Sequence, residues 1–229
     1  MIAIEKAKTI IKKYRHAWIF LYAFIYMPWF MYLEEHITSS YYIIHSPLDN
    51  FIPFIEYFII PYYLWFPFMV IGVLYFFFTN RDDFYRVSAF CIVGMTLFLI
   101  ICSIFPNGLH LRPVVFSRDN FFVDLVKGLY ATDTPTNVLP SIHVFNTLGV
   151  LIAVSHSERL KQHKFVVVGT YILGILIILS TMFLKQHSVT DVIAAGAMAC
   201  VIYPFIYTHT AYSFQMQKES DISLRFPRV

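Results

Sequence analysis

The chain has 229 residues, of which 58% are hydrophobic, 19% aromatic and only 14% charged. Its mean hydropathy is +0.63, and a soluble domain usually has about 25% charged residues, so the composition excludes an ordinary water-soluble domain. The formal charge of +3 is small and scattered, which argues against nucleic-acid binding. We therefore expect a single membrane domain that covers residues 1–229.

Six apolar segments follow one another along the chain, and each is long enough to predict a transmembrane helix of about 20 residues. The expected fold is therefore all-α, a polytopic bundle of six transmembrane helices. The predicted spans are residues 17–33, 54–78, 87–104, 138–154, 165–184 and 189–207.

The distribution of Lys and Arg predicts the orientation of these spans. Thirteen of the 17 Lys and Arg residues fall in the N-terminal arm, the second and fourth loops and the C-terminal tail. Because cytoplasmic loops are enriched in positive charge, we expect both termini in the cytoplasm and the chain in the cytoplasmic membrane. The remaining four cations would then face outside: Arg112, Arg118, Lys127 and Lys185.

Ionisable and polar residues gather where four of the predicted spans meet this outer side. They lie in three stretches, at 107–113, 140–143 and 185–191. Ionisable groups at membrane depth are costly and usually functional, so we expect these distant stretches to form one site.

The residue types in these stretches favour phosphoryl transfer without a metal ion or cofactor. His187 and Asp191 are four residues apart and share a helical face, so the carboxylate can orient the imidazole as a nucleophile or a base. His143 can protonate a leaving group. Arg112, Ser141 and Lys185 can hold phosphate, because a guanidinium fork, a helix start and an ammonium all favour anions.

A purely structural interpretation is open for each residue taken alone. A His–Asp pair near a membrane interface is often only a hydrogen bond, and Arg112-Pro113 is compatible with a simple loop turn. The joint occurrence of these residues on one predicted side favours a site. The three cysteines lie inside apolar segments without the spacing of metal ligands, which is typical of small buried hydrophobic residues.

The motif order resembles the type 2 phosphatidic acid phosphatase (PAP2) superfamily. The similar motifs are Arg112-Pro113, then Pro140-Ser141-x-His143, then Ser180-x6-His187-x3-Asp191. The resemblance implies a metal-independent enzyme in which His187 forms a phosphohistidine, oriented by Asp191. It also implies that His143 protonates the leaving oxygen while Arg112 and Ser141 hold the phosphate.

The chain departs from the family pattern at three positions. Phe105 stands in place of a lysine, Ile142 in place of a glycine and Thr181 in place of an arginine. Lys185 is a candidate substitute for one of the two missing cations. The stretches 133–137 and 185–187 resemble a divergent branch related to inositol-phosphorylceramide-synthase-like enzymes.

Three functions are compatible with this pattern. The first is a lipid phosphatase with its site outside, acting on a polyprenyl diphosphate, phosphatidic acid or phosphatidylglycerophosphate. The second is a phosphotransferase that moves a phospho-headgroup between lipids, because an acceptor alcohol can replace water at a phospho-enzyme. The third is a PAP2-like transporter or scaffold that has lost activity, which the missing cations suggest.

Overall fold

A computed structural model describes residue 5 and residues 11–208 of the chain. Several of the cations that predict the orientation lie outside the described residues. They are Lys6, Lys8, Lys218, Arg225 and Arg228.

The described chain is predominantly helical. A 3-10 segment at Arg15–Tyr22 leads into the first α-helix, another at Glu56–Phe58 leads into the second, and a π-helical turn at Pro204–Thr208 follows the last. The α-helices are α1 (Ala23–His36), α2 (Ile59–Thr79), α3 (Arg81–Ile104), α4 (Phe121–Thr132), α5 (Ile142–His156), α6 (Lys164–Phe183) and α7 (Val189–Tyr203).

Five helical segments are long and apolar enough to cross a membrane, so the chain is a helical, multi-pass membrane protein. They are Arg15–His36, Glu56–Thr79, Arg81–Ile104, Lys164–Phe183 and Val189–Thr208. The predicted fourth span, at 138–154, is the exception, because α5 has only 15 residues. It starts at Ile142, since the Ser141 side chain caps its first turn and the residues before it are not helical.

Helix α5 lies at the centre of the bundle even though it is shorter than each of the five candidate spans. It packs against α2, α3, α6 and α7. Its C-terminal His156 lies beside Asn80, at the connection from α2 to α3. Its N-terminal residues lie at the opposite end of the bundle, beside the start of α7. Helix α5 therefore connects the same two ends of the bundle as its longer neighbours.

A buried asparagine fixes the chain that enters α5. Asn107 is fully buried, and its side-chain oxygen accepts hydrogen bonds from the backbone N–H groups of Val138 (2.9 Å) and Leu139 (2.8 Å). Asn107 also belongs to strand β2 (Asn107–Gly108), which pairs in parallel with strand β1 (Tyr42–Ile43). The end of the bundle that holds the polar stretches is thus tied together by backbone contacts.

Candidate active site

The start of α7 brings His187 and Asp191 together as their spacing predicts. Asp191 Oδ2 accepts hydrogen bonds from the backbone N–H of Ser188 (2.9 Å) and from His187 Nδ1 (3.3 Å). The Ser188 side chain in turn caps the helix by accepting from the N–H of Thr190. With Asp191 ionised the carboxylate can only accept, which favours the His187 tautomer that has its proton on Nδ1 and its lone pair on Nε2.

The start of α5 brings His143 to the same place. The ring centroids of His143 and His187 are 5.6 Å apart. The His143 ring also packs against Trp65 (4.3 Å) and Tyr62 (4.8 Å) of α2, which fix its orientation. Ser141, the N-cap of α5, donates its backbone N–H to the carbonyl oxygen of Asp191 (3.2 Å). Four of the predicted site residues therefore form one cluster.

Arg112 lies beside this cluster, but its terminal nitrogens are bound to the protein. One of them, Nη1, donates to the carbonyl oxygens of Asp133 (2.8 Å) and Tyr130 (3.3 Å). The other, Nη2, donates to the Thr134 carbonyl oxygen (3.1 Å) and to Gln186 Oε1 (2.5 Å). Arg112 thus holds the chain after α4 against the residue before His187. Its binding of phosphate stays a prediction.

Lys185 is two residues before His187, yet its ammonium group points elsewhere. Nζ donates to the carbonyl oxygens of Ile52 (2.5 Å) and Asp49 (2.9 Å), in the loop before α2. Its backbone has a positive φ of 54°, which turns the chain sharply between α6 and α7. Burial lowers the pKa of this amine, and the nearby Asp49 opposes that shift. The geometry gives Lys185 a structural role that differs from the predicted phosphate contact.

Asp49 is a buried carboxylate that sequence reasoning missed. It is 2% exposed and accepts three hydrogen bonds, from the Ser46 N–H (2.7 Å), the Ser188 hydroxyl (2.7 Å) and the Val189 N–H (2.8 Å). Two of these donors belong to the start of α7, so Asp49 anchors the segment that carries His187. The sequence Ser46-Pro47-Leu48-Asp49 signals a capped turn, but nothing in it points to α7.

A cavity of about 500 Å³ opens beside the two histidines. Most of its wall is apolar and comes from the first three membrane helices. The histidines and several hydrogen-bonding side chains lie at one end. These polar lining residues are Glu34, Asp133, Thr134, Thr136, Asn137, His143, Gln186 and His187.

Two carboxylates give this polar end an acidic side. Glu34 accepts hydrogen bonds from the Thr134 hydroxyl and from Asn137 Nδ2 (2.6 Å). Asp133 accepts from the Tyr62 hydroxyl (3.2 Å) and from Gln186 Nε2 (3.0 Å). Burial raises the pKa of Asp133, and the positive charge of Arg112 opposes the shift. The cavity therefore offers hydrogen-bond acceptors as well as imidazole nitrogens.

Within the described ranges, no group of three or more His, Cys, Asp or Glu residues is arranged to hold a metal ion. The three cysteines are free thiols. Cys91 and Cys102 are buried as expected, whereas Cys200 is exposed on α7.

Comparison of the chain with protein-family models, with curated proteins and with solved structures finds no match. The site must therefore be interpreted from its own geometry.

Proposed function

We propose that the chain is an integral-membrane lipid phosphatase of the PAP2 type, which hydrolyses a lipid phosphate or diphosphate through a phosphohistidine. One observation supports this most directly. The His187–Asp191 pair faces a second histidine, His143, at the polar end of a deep apolar cavity. An oriented nucleophile, a candidate acid and a site for a hydrocarbon chain are what such a reaction needs.

In the proposed reaction, Nε2 of His187 attacks phosphorus and the bond from phosphorus to the lipid oxygen breaks. His143 gives a proton to that oxygen, and a lipid alcohol leaves. Water then attacks the phosphohistidine while His143 takes back a proton. Inorganic phosphate leaves and His187 is regenerated. Asp191 stabilises the positive charge that His187 develops when it bonds to phosphorus.

The start of α5 offers binding groups for phosphate oxygens. Ser141 accepts hydrogen bonds from the backbone N–H groups of Val144 and Phe145. The N–H groups of Ile142 and His143, in the same first turn, lie at the positive end of the helix dipole. We infer that they hold phosphate together with Ser141. The guanidinium group of Arg112, which is hydrogen-bonded to Gln186, contributes its positive charge to phosphate binding. This arrangement would compensate for family cations that are missing at Phe105 and Thr181.

A six-span topology with an outward-facing site is part of the proposal. It is supported by the central position of α5 between the two ends of the bundle, and by the Lys and Arg distribution along the chain. Reporter fusions placed after residues 80, 110, 160 and 186 test it. We expect cytoplasmic reporters to work at 80 and 160 and external reporters at 110 and 186. The same location at 110 and 160 would contradict a membrane-crossing α5.

Activity is tested with purified protein in detergent and a panel of phosphatidic acid, phosphatidylglycerophosphate and polyprenyl diphosphate. We expect phosphate release that persists in EDTA and disappears in His187→Ala. His163→Ala is the matched control, because His163 is exposed beyond the opposite end of α5. Enzyme quenched in alkaline detergent should contain phosphate on His187 that acid treatment releases, and label on another residue would refute the mechanism.

A second candidate, transfer of a phospho-headgroup to a lipid alcohol, is favoured by the acidic side of the cavity. Glu34 and Asp133 accept hydrogen bonds there, and the side-chain oxygen of Asn137 is buried without a partner among the described residues. Such acceptors suit a hydroxyl group better than a phosphate. Headgroup transfer without free phosphate would identify this activity. No turnover with any lipid phosphate, alone or with acceptor alcohols, would favour an inactive PAP2-like protein.

A further inference from the structure

The cavity contains a buried amide that the described fold leaves unsatisfied. Asn146 lies on α5, three residues after His143, and is 4% exposed. Its side-chain oxygen has no hydrogen-bond partner within the described part of the chain. Asn146 nevertheless lines the cavity. A buried polar group of this kind needs an explanation, and a ligand in the cavity supplies one.

A second unsatisfied group lines the same cavity. The indole nitrogen of Trp65 is buried and has no partner among the residues described. The Trp65 ring packs against His143, with centroids 4.3 Å apart. A buried indole N–H usually finds an acceptor. Asn146 and Trp65 together therefore offer an acceptor and a donor near the proposed phosphate position.

The position of Asn146 shows which part of a lipid it would meet. Three residues of α-helix advance by about 4.5 Å, so Asn146 lies roughly one helical turn further into the bundle than His143. A lipid whose phosphate is bound at the histidines places its linker at that depth, a few bonds from phosphorus. In a polyprenyl phosphate that position holds only hydrocarbon. In a glycerol-type lipid it holds ester or hydroxyl oxygens.

We propose that Asn146 and Trp65 form a second polar subsite, which binds a hydroxyl or amide group in the linker between the phosphate and the hydrocarbon chains, because such a group can both donate to the Asn146 oxygen and accept from the Trp65 N–H. This inference rests on the proposed function, because it takes the phosphate to be bound beside His187. It makes Asn146 a specificity-determining residue. Lipid phosphates with a hydrogen-bonding linker are favoured over polyprenyl phosphates.

Lipid binding to the full-length protein in detergent tests the subsite independently of turnover. Native mass spectrometry identifies the intact lipid and gives its affinity. The probes are 1-oleoyl lysophosphatidic acid, with a free hydroxyl in its linker, and undecaprenyl phosphate, without one. Asn146→Leu should weaken lysophosphatidic acid binding about tenfold and change undecaprenyl phosphate binding by less than about twofold. Trp65→Phe, which keeps an aromatic side chain but loses the N–H, should also weaken binding of the lipid with the hydrogen-bonding linker.

Control measurements separate the subsite from a structural role. Thr170→Val removes a hydroxyl from α6 that bonds only to its own helix, and it should leave both affinities unchanged. The melting temperature of Asn146→Leu should be unchanged or higher, because the described fold leaves the side-chain oxygen of Asn146 without a partner. Equal weakening of both lipids by Asn146→Leu, or no weakening of either, would overturn the subsite.

The failure of this inference is distinguishable from failure of the proposed function. Selective loss of lysophosphatidic acid binding supports the subsite even if no phosphate release is ever observed. Phosphate release that requires His187, combined with unchanged lipid preference in Asn146→Leu and Trp65→Phe, supports the enzyme and refutes the subsite.

Discussion

The backbone N–H of Ser141 donates a hydrogen bond to the carbonyl oxygen of Asp191 over 3.2 Å. This bond joins the N-cap of α5 to the first turn of α7, so the two helices that carry His143 and His187 start at one point. Because each helix is also capped by its own serine, the spacing of the histidines is set by backbone and cap geometry. The site is therefore positioned by the starts of two helices rather than by a flexible loop.

Asp191→Asn tests whether the carboxylate orients the nucleophile. The amide keeps the shape of the side chain but not its charge, so it cannot stabilise a positively charged His187. We expect kcat for phosphate release to fall by about 10² to 10⁴ with little change in KM. Asp82→Asn is the control, because Asp82 is exposed at the other end of the bundle. A near-normal rate in Asp191→Asn would mean that the pair is structural.

Asp49→Ala tests the anchor of α7. The substitution removes an acceptor of three hydrogen bonds and leaves the Ser188 hydroxyl and the Val189 N–H buried without it. We expect a loss of about 2 to 4 kcal/mol in stability, seen as a lower melting temperature in detergent.

Asp124→Ala is the matched control for Asp49→Ala. Asp124 pairs with Lys127 on the exposed side of α4, and exposed ion pairs contribute little to stability because solvent screens them. Equal melting temperatures for the two variants would refute the proposed anchor.

Lys185→Ala distinguishes a phosphate contact from a loop contact. In the structure the ammonium group binds two carbonyl oxygens of the loop before α2. We therefore expect a lower melting temperature and a lower kcat, with KM for the lipid phosphate close to that of the unchanged protein. Lys127→Ala, which removes an exposed lysine of α4, is the control. A rise in KM at an unchanged melting temperature would instead support phosphate binding by Lys185.

The sequence predicts the helices of this protein better than it predicts the contacts between them. Long apolar runs locate α6 almost to the residue. Helix α3 begins earlier than predicted, at Arg81, because Asn80 caps a first turn that contains charged residues. Helix α5 begins later than predicted, at the cap of Ser141. Both differences arise because a hydropathy pattern contains no information about the capping residue at which a helix begins.

In the candidate site, too, contacts within one segment are predictable from the sequence, and contacts between distant segments are not. The four-residue spacing of His187 and Asp191 predicts their contact, although His187 lies just before the Ser188 cap of α7 and outside the helix itself. The contact between Asp49 and Ser188 joins residues 139 positions apart, and no local pattern encodes it. The same holds for Arg112 and Gln186, which are 74 positions apart. Such contacts depend on how the helices pack, so they require the structure.

Asp133 should make the stability of the fold depend on pH. Burial raises the pKa of this carboxyl, so the folded state keeps a proton that the unfolded state has lost. Stability should therefore fall as the pH rises from the ordinary aspartate value of about 3.9 through the raised value. Asp133→Asn should reduce this fall, measured as melting temperature against pH in detergent. An unchanged pH profile in the variant would show that other groups cause it.

Gly94→Ala tests the contact that places α5 against α3. A Cβ at Gly94 would meet the Phe145 ring at 2.0 Å, and Phe145 is fully buried and stacked on Phe90. The ring cannot move without displacing the helix that carries His143, so we expect a loss of about 1 to 3 kcal/mol in stability and reduced activity.

Gly169→Ala provides the matched control for this contact. Gly169 lies in α6, where an added Cβ meets nothing within 4 Å. Since alanine favours a helix over glycine by about 0.5 to 1 kcal/mol, this variant should be as stable as the original or slightly more so. If both variants melt at the same temperature, the packing of α5 on α3 tolerates a shift of Phe145. If only Gly94→Ala is destabilised and impaired, the close approach of these two helices is what holds His143 at its distance from His187.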